Sequence, residues 1–163
     1  MSCTFDEPFF INSKVSFFKS FKSLFISKST LYKISLSVLK SLSFFLSLIT
    51  EGRFVTSGIL FDVNSDKIKP ESYGVMKDIA NVLTENSSVR VKIIGHTDSD
   101  GSDADNLTLS KKRAESVKAS LTKDFGIDAT RLETDGKGES QPVDKNTTAE
   151  GKANNRRVEF IKL

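Results

Sequence analysis

Acidic side chains are concentrated in residues 98–105, where four of the eight residues are aspartate. Because Ca²⁺ is bound by several oxygen ligands, this stretch is a candidate calcium site. Its spacing does not fit an EF-hand loop, which requires glycine at its sixth position and glutamate at its twelfth. Here glycine is fourth and Leu109 is twelfth. A solvated acidic loop with one or two functional members is the preferred interpretation, and a calcium-dependent structural or adhesive module is the alternative.

His96 lies two residues before Asp98, and the two side chains together could perform acid–base catalysis. However, no serine or cysteine is marked as a nucleophile, and the single cysteine, Cys3, lies far away in the sequence. A histidine at the end of a strand is more often a structural hydrogen-bonding residue. The sequence therefore predicts no catalytic residue and no enzymatic activity, and a hydrolase that uses His96 and Asp98 is the weaker rival.

Other groups of residues that could bind a cofactor or nucleic acid do not have the required pattern. Residues 136–139 contain two glycines but lack the glycine-lysine-serine/threonine ending of a phosphate-binding loop. The basic clusters at 111–113 and 155–157 are too small to indicate nucleic-acid binding. With one histidine and one cysteine, the chain also lacks the residues for a thiolate-clustered zinc site or an intramolecular disulfide. We expect no cofactor, no metal site and no nucleic-acid partner.

The chain of 163 residues consists of two parts that differ in composition. Residues 1–50 contain 9 of the 13 phenylalanines and 12 serines but no glycine. With six lysines and two acidic residues, this part carries a charge of +4, so the remaining 113 residues carry −1 of the total of +3. The break predicts a boundary near residues 50–52, between a low-complexity segment at 1–50 and a folded domain at 54–163.

The composition of residues 1–50 fits three interpretations. Serine, phenylalanine, lysine, leucine and isoleucine are encoded by AT-rich codons, which is typical of a misassigned start or a shifted reading frame. Residues 31–49 are about long enough to span a bilayer, but Lys33 and Lys40 interrupt them. A degenerate export or anchor segment is therefore the second interpretation, and a segment of another kind is the third.

From residue 54 onward, strand and helix patterns alternate. Residues 54–56 and 59–61 are β-prone and are followed by turn formers at 62–66. Pro70 suits the first turn of a helix, and an apolar stripe follows at helical spacing at Val75, Met76, Ile79, Ala80 and Leu83. Residues 89–94 alternate and then become apolar, which predicts an inner strand with partner strands on both sides.

The second half of the domain continues this alternation. A polar loop over 95–106 precedes a helix over about 107–123, whose predicted core positions are Leu109, Ala114, Val117 and Leu121. A short strand at 131–134, a long loop from 136 to 154 and a terminal strand at 157–163 follow. The β-α-β-α-β-β order predicts a two-layer α/β (α+β) sandwich with helices packed on one mixed sheet.

Five groups of residues occur on these elements in a characteristic order. They are Ile59-Leu60-Phe61-Asp62; Gly95-His96-Thr97-Asp98 with Gly101; Asn106, Leu109, Ser110, Arg113, Ala114 and Val117; Gly136 and Gly138 with Pro142; and Asn155-Arg156-Arg157-Val158-Glu159. In this order they resemble the OmpA-like C-terminal domain, the peptidoglycan-associated module of Gram-negative envelope proteins. The resemblance covers residues 54–163, about two-thirds of the chain.

The resemblance implies that the domain does not catalyse a reaction but binds the diaminopimelate side branch of the peptidoglycan peptide stem non-covalently. It places Asp98 where the family has the aspartate that receives the ligand's ammonium group, and Arg113 where it has the arginine that pairs with the carboxylate. Arginine suits this role because it can hold a carboxylate bidentately, which lysine cannot. Supporting roles are implied for Thr97, Asn106, Asp62, Asn64 and Arg157.

The resemblance also implies a location and a partner. The expected partner is peptidoglycan of the diaminopimelate type, and the domain is expected to tether an outer-membrane or other envelope component to the cell wall. Its expected location is the periplasm, with an association with the outer membrane. The sequence predicts no oligomeric state.

Overall fold

The computed structural model describes residues 46–48 and 50–163. The predictions for residues 1–50 therefore lie outside the described residues, apart from a helical stretch at 46–48 and 50. Leu48 in this stretch is fully buried and belongs to the hydrophobic core. The core thus includes a residue that precedes 54, the predicted start of the domain, and the boundary itself stays a prediction.

Within the described residues, a four-stranded mixed sheet forms one layer of the fold. Its strands are β1 (Arg53–Thr56), β2 (Val91–His96), β3 (Leu132–Gly138) and β4 (Val158–Lys162), arranged in the order β1-β4-β2-β3. Strand β4 is antiparallel to both β1 and β2, whereas β2 and β3 are parallel. Strand β2 lies between two others and is buried at five of its six positions, which confirms the predicted inner strand.

Helices form the second layer, and the predicted two-layer class is confirmed. They are α1 (Tyr73–Glu85), α2 (Asp103–Lys123) and the short α3 (Ala149–Asn155), with 3₁₀ turns at Pro70–Ser72 and Ala129–Arg131. Pro70 occupies the first position of the turn that precedes α1, where its missing N–H costs nothing. The buried face of α1 consists of Met76, Ile79, Ala80, Val82 and Leu83. The predicted stripe is therefore correct except that Val82 joins it and Val75 is only partly buried.

Helix α2 begins at Asp103, four residues before the predicted start at 107. Ser102 is the N-cap: its hydroxyl accepts a hydrogen bond from the Asp105 N–H at 3.2 Å and donates one to the Asp105 carboxylate at 2.7 Å. The Ser-x-x-Asp spacing is a capping pattern that identifies this start, and acidic residues in the first turn interact favourably with the helix dipole. Asn106 is therefore a helical residue and not the end of a loop.

The backbone of α2 lies directly on β2 and β3 because the strands present glycines beneath it. A Cβ atom at Gly95 would overlap the Ser110 carbonyl, and one at Gly136 would overlap the Ser110 hydroxyl. At Gly138 a Cβ would lie 2.9 Å from the Leu107 nitrogen. The Ser110 hydroxyl also accepts a hydrogen bond from the Gly138 N–H at 2.9 Å. This close approach fixes the N-terminal half of α2 relative to the sheet.

Two expectations about strands were wrong. Residues 59–61 form only an isolated bridge, between Phe61 and Ile68, because the Leu60 N–H and C=O bond to Ser72 and Lys69 instead of a strand. Strand β3 extends to Gly138, whereas the prediction ended at 134. The prediction placed Gly136 and Gly138 in the following loop, yet they are strand residues whose missing side chains make room for α2.

The predicted long loop from 136 to 154 also differs from the structure, since it contains helix α3. The Thr148 hydroxyl caps this helix by accepting a hydrogen bond from the Gly151 N–H at 3.0 Å. Buried Asn155, at the end of α3, accepts hydrogen bonds from the Val143 and Asp144 N–H groups at 2.8 and 3.0 Å. A helix of seven residues with small and polar side chains has no apolar stripe, so periodicity did not reveal it.

The close approach of α2 predicts that Gly95→Ala is strongly destabilising. The added methyl group meets backbone atoms of α2, which must move, and overpacking of this kind typically costs about 1–3 kcal/mol. The matched control is Gly74→Ala in α1, where a Cβ would have no neighbour within 4 Å. Removing a helical glycine there should be neutral or stabilising by about 0.5–1 kcal/mol. Urea unfolding followed by circular dichroism measures both, and equal stability of the two variants would contradict the proposed packing.

Candidate functional site

Asp98 follows strand β2 in a tight polar turn. The Thr97 N–H donates to the Gly138 carbonyl at 3.0 Å, which holds the start of the turn against β3. The Asp98 Oδ1 atom accepts the Asp100 N–H at 3.1 Å, and Gly101 has a φ of 104°, a left-handed conformation that favours glycine. Asp98 is only 7% exposed, so its carboxylate is held in a defined position and is largely shielded from water.

Asn106, in the first turn of α2, joins this turn to the rest of the site. Its side chain is buried, and its Nδ2 atom lies 3.3 Å from the Asp98 carbonyl oxygen and 3.1 Å from that of Asp100. The same amide group donates to the Glu139 carboxylate beyond β3. Asn106 therefore fixes the conformation of the loop that carries Asp98.

Arg113 is the eleventh residue of α2 and lies on its buried face, third in a polar series after Asn106 and Ser110. It is 8% exposed, its Nε donates to the Ser65 carbonyl at 3.0 Å, and its guanidinium lies 5.0 Å from the centre of the Phe61 ring. Burial lowers the pKa of Arg113 from its ordinary value, whereas the charge of Asp98 raises it. Among the described residues, no acceptor is hydrogen-bonded to its two terminal nitrogens, which retain their capacity to donate hydrogen bonds.

Arg156 contacts Asp98 directly, although it was not among the predicted site residues. Its Nη1 forms an ion pair of 2.5 Å with Asp98 Oδ2, and Lys152 forms another of 2.7 Å with Asp100. Both cations come from α3 or the residue that caps it. The feature of the sequence that could have identified Arg156 is the small basic cluster at 155–157. The cluster alone does not show which of its two arginines faces the Asp98 loop.

Arg157, the arginine that the resemblance selected, lies in a different environment. Its Nε and Nη2 donate to the Glu159 carboxylate at 3.1 and 2.8 Å, and Nη2 also donates to the Gln141 carbonyl at 3.0 Å. The side chain is 4% exposed, so this ion pair is internal. Arg157 is thus paired with Glu159 in the interior, whereas Arg156 is paired with Asp98 in the loop after β2.

The remaining predicted residues lie around these groups. The Asp62 carbonyl and N–H bond to Ser65 and Lys67 in the loop that also supplies the acceptor of Arg113. Asn64 is exposed at the tip of this loop with a φ of 51°, which asparagine tolerates better than most residues. Thr97 is buried, and its hydroxyl makes no hydrogen bond to another described residue.

A cavity of about 420 Å³ lies between the 64–66 loop and the first turns of α2. Asp98 and Arg113 do not line it directly, but both are bonded to residues that do. Its lining residues are Asn64, Ser65, Asp66, Asp100, Gly101, Asp105, Asn106, Thr108, Leu109 and Lys112. Leu109, predicted to face the core, instead forms part of this wall and is half-buried, because the buried face of α2 passes through Ser110 and not through Leu109.

The described residues include no group of three or more histidine, cysteine, aspartate or glutamate side chains placed to hold a metal ion. Two carboxylates of the acidic loop, Asp98 and Asp100, are paired with cations from the α3 region. In the same part of the chain, no helix is both long and apolar enough to cross a membrane.

His96 is buried beneath the loop and next to the internal Arg157–Glu159 pair. Its Nε2 lies 3.4 Å from Glu159 Oε1. Burial, and then the charge of Arg157, lowers the pKa of His96 from 6.5 to about 4, although Glu159 acts in the opposite direction. The ring is therefore neutral at pH 7.

The lowered pKa of His96 predicts a pH dependence of stability. The unfolded chain binds the proton more readily between about pH 6.5 and 4, so the stabilisation from neutral His96 is complete above pH 6.5 and is lost as the pH falls. At about 1.4 kcal/mol per pH unit, the difference in unfolding free energy between the wild type and His96→Gln should fall by about 2 kcal/mol from pH 7 to pH 5. Urea titrations at both pH values measure it, and a constant difference would contradict the shift.

Comparisons with known proteins identify the family of this chain. Residues 60–156 match the OmpA family. The chain is 43% identical over 101 residues to outer membrane porin F of Pseudomonas aeruginosa, an alignment that covers 62% of this chain and 29% of the porin. The chain therefore spans less than a third of that relative.

Two solved structures have a similar fold. The peptidoglycan-associated lipoprotein from Burkholderia pseudomallei matches with a TM-score of 0.59 and 27% identity, over 64% of this chain and 88% of that one. The cell wall anchor of the T6SS from Pseudomonas aeruginosa matches with a TM-score of 0.58 and 28% identity, over 73% and 94%. The resemblance seen in the sequence is confirmed, and the match over residues 60–156 shows that the chain belongs to the OmpA family.

Proposed function

We propose that residues 54–163 form a non-enzymatic domain that binds the diaminopimelate-containing peptide stem of peptidoglycan and tethers an envelope component to the cell wall. Membership of the OmpA family supports this function. Two structural relatives with a similar fold are a peptidoglycan-associated lipoprotein and a cell wall anchor. On this proposal the domain works in the periplasm, in association with the outer membrane.

The observation that carries the proposal is a buried anion and a buried cation that belong to one site without neutralising each other. Asp98 and Arg113 are 7% and 8% exposed, and Asp98 is paired with Arg156 instead of Arg113. The free end of diaminopimelate has an ammonium group and a carboxylate on one carbon. A ligand of this kind can bring one charge to Asp98 and the other to the terminal nitrogens of Arg113, with two parallel hydrogen bonds to the guanidinium.

The surrounding residues would hold these two groups in place. Asn106 fixes the Asp98 loop, and the Ser65 carbonyl with the Phe61 ring orients Arg113. Thr97, beside Asp98, has a buried hydroxyl that makes no hydrogen bond to another described residue, and we assign it a supporting role. Asp62 and Asn64 would shape the loop opposite α2, and Arg157 would support the loop from behind through its pair with Glu159.

Co-sedimentation with purified diaminopimelate-type sacculi tests this function. We expect the wild-type chain to pellet with sacculi and free diaminopimelate to release it. Asp98→Asn and Arg113→Lys should each reduce the apparent affinity by at least about tenfold, since a charge-assisted hydrogen bond contributes about 1.5–3 kcal/mol. The Arg113→Lys variant is informative because it keeps the charge and loses only the planar pair of donors.

Matched controls separate the site from general charge effects. Asp103→Asn removes an exposed carboxylate at the start of α2, and Lys123→Ala removes an exposed cation at its end, so neither should change pelleting. Pelleting that survives both site substitutions would sink the proposed site. Loss of pelleting on addition of a chelator would favour the calcium-dependent alternative, and release of soluble muropeptides would favour a hydrolase.

A further inference from the structure

Asp98 already has a cationic partner within the protein. Arg156 Nη1 is paired with Oδ2, and the Asp100 N–H is bonded to Oδ1. A ligand ammonium group that approaches Asp98 therefore meets a carboxylate that is partly neutralised. It must either displace the guanidinium of Arg156 or share the carboxylate with it.

Arg156 is the partner that can move. Its side chain is 47% exposed, whereas the Asp98 side chain is 10% exposed. The Arg156 backbone is held at the end of α3, where its N–H donates to the Lys152 carbonyl at 3.1 Å. Because the side chain is long and half in water, it can leave Asp98 and regain hydration while the backbone stays in place.

The charges nearby determine which ligands can displace it. Arg113 is close enough to Arg156 for the positive charge of Arg156 to disfavour protonation of Arg113. A ligand that carries only an ammonium group would add a third cation beside these two arginines. A ligand that also carries a carboxylate would bring a negative charge toward both of them.

We propose that Arg156 is a specificity-determining residue that makes the site select a zwitterionic ligand end over a simple ammonium group. This inference rests on the proposed function and concerns the same site. In the wild type, an ammonium group alone exchanges one cation on Asp98 for another and gains little. A zwitterionic end makes the same exchange and also supplies a carboxylate to the arginines.

Two peptide stems differ only in whether the side chain of their third residue ends in a carboxylate as well as an ammonium group. In a tetrapeptide with meso-diaminopimelate at its third position, the side chain ends in an ammonium and a carboxylate. In the matching tetrapeptide with L-lysine, the side chain ends in an ammonium only. Without Arg156, the buried carboxylate of Asp98 would lose its partner, so either ammonium group would be attracted to it more strongly. The affinity of the lysine peptide would increase most, because this peptide has no side-chain carboxylate and therefore loses no contact with Arg156.

Isothermal titration calorimetry of the full chain with both tetrapeptides tests this role. We expect the wild type to bind the diaminopimelate peptide at least about tenfold more tightly, which corresponds to about 1.4 kcal/mol. In Arg156→Gln the lysine peptide should bind several-fold more tightly than it binds to the wild type, so the preference should fall to about threefold or less. Arg156→Lys keeps a cation beside Asp98 and should retain most of the preference.

The matched control is Arg90→Gln, because Arg90 is an exposed arginine paired with a carboxylate, Glu133, outside the site. It should leave both affinities unchanged. An unchanged preference in Arg156→Gln, or an equal weakening of both peptides, would overturn the role of Arg156 while leaving the proposed function intact. A wild-type chain that does not bind the diaminopimelate peptide would overturn the proposed function and this inference together.

Discussion

The close contact between helix α2 and strands β2 and β3 involves backbone atoms, and it positions the site groups that α2 and the loop after β2 contribute. Gly95, Gly136 and Gly138 leave no side chain between the two layers. The helix can therefore bring Ser110 within hydrogen-bond distance of the Gly138 backbone. A helix held further away by ordinary side chains could not place the Asn106 amide within reach of the loop that follows β2.

The buried face of α2 is polar in its N-terminal half and apolar in its C-terminal half. Its first half carries Asn106, Ser110 and Arg113, and its second half carries Ala114, Val117 and Leu121. Buried polar groups are costly unless they are hydrogen-bonded, and the first three have partners in the loops and in β3. The site is therefore the polar end of the core, and its rigidity comes from the same packing that stabilises the apolar end.

Most of the architecture could be predicted because its signals are local. The stripe of α1, the apolar run of β2 and the alternation of β4 each depend on neighbours in sequence. The glycines of β3 were misinterpreted, since their function is to accommodate a helix that precedes them by about 25 residues. Similarly, nothing local distinguishes Arg156 from Arg157, because only the direction of β4 decides which one faces Asp98 and which one pairs with Glu159. Contacts of this kind are tertiary, and a single sequence does not display them.

The ion pairs around the loop explain how the fold tolerates a buried carboxylate at Asp98. An unpaired charge at Asp98 would be expensive, and a direct pair with Arg113 would be stable but would occupy both of the proposed ligand-binding groups. The structure instead pairs Asp98 with a half-exposed arginine and orients Arg113 through the Ser65 carbonyl. Each buried charge is thus held in place by groups that leave part of its binding capacity free. In the proposed function, the exposed Arg156 is the component that exchanges, because its return to water costs least. On this proposal, the Asp98–Arg156 pair that stabilises the buried carboxylate also sets the free energy that a ligand must exceed.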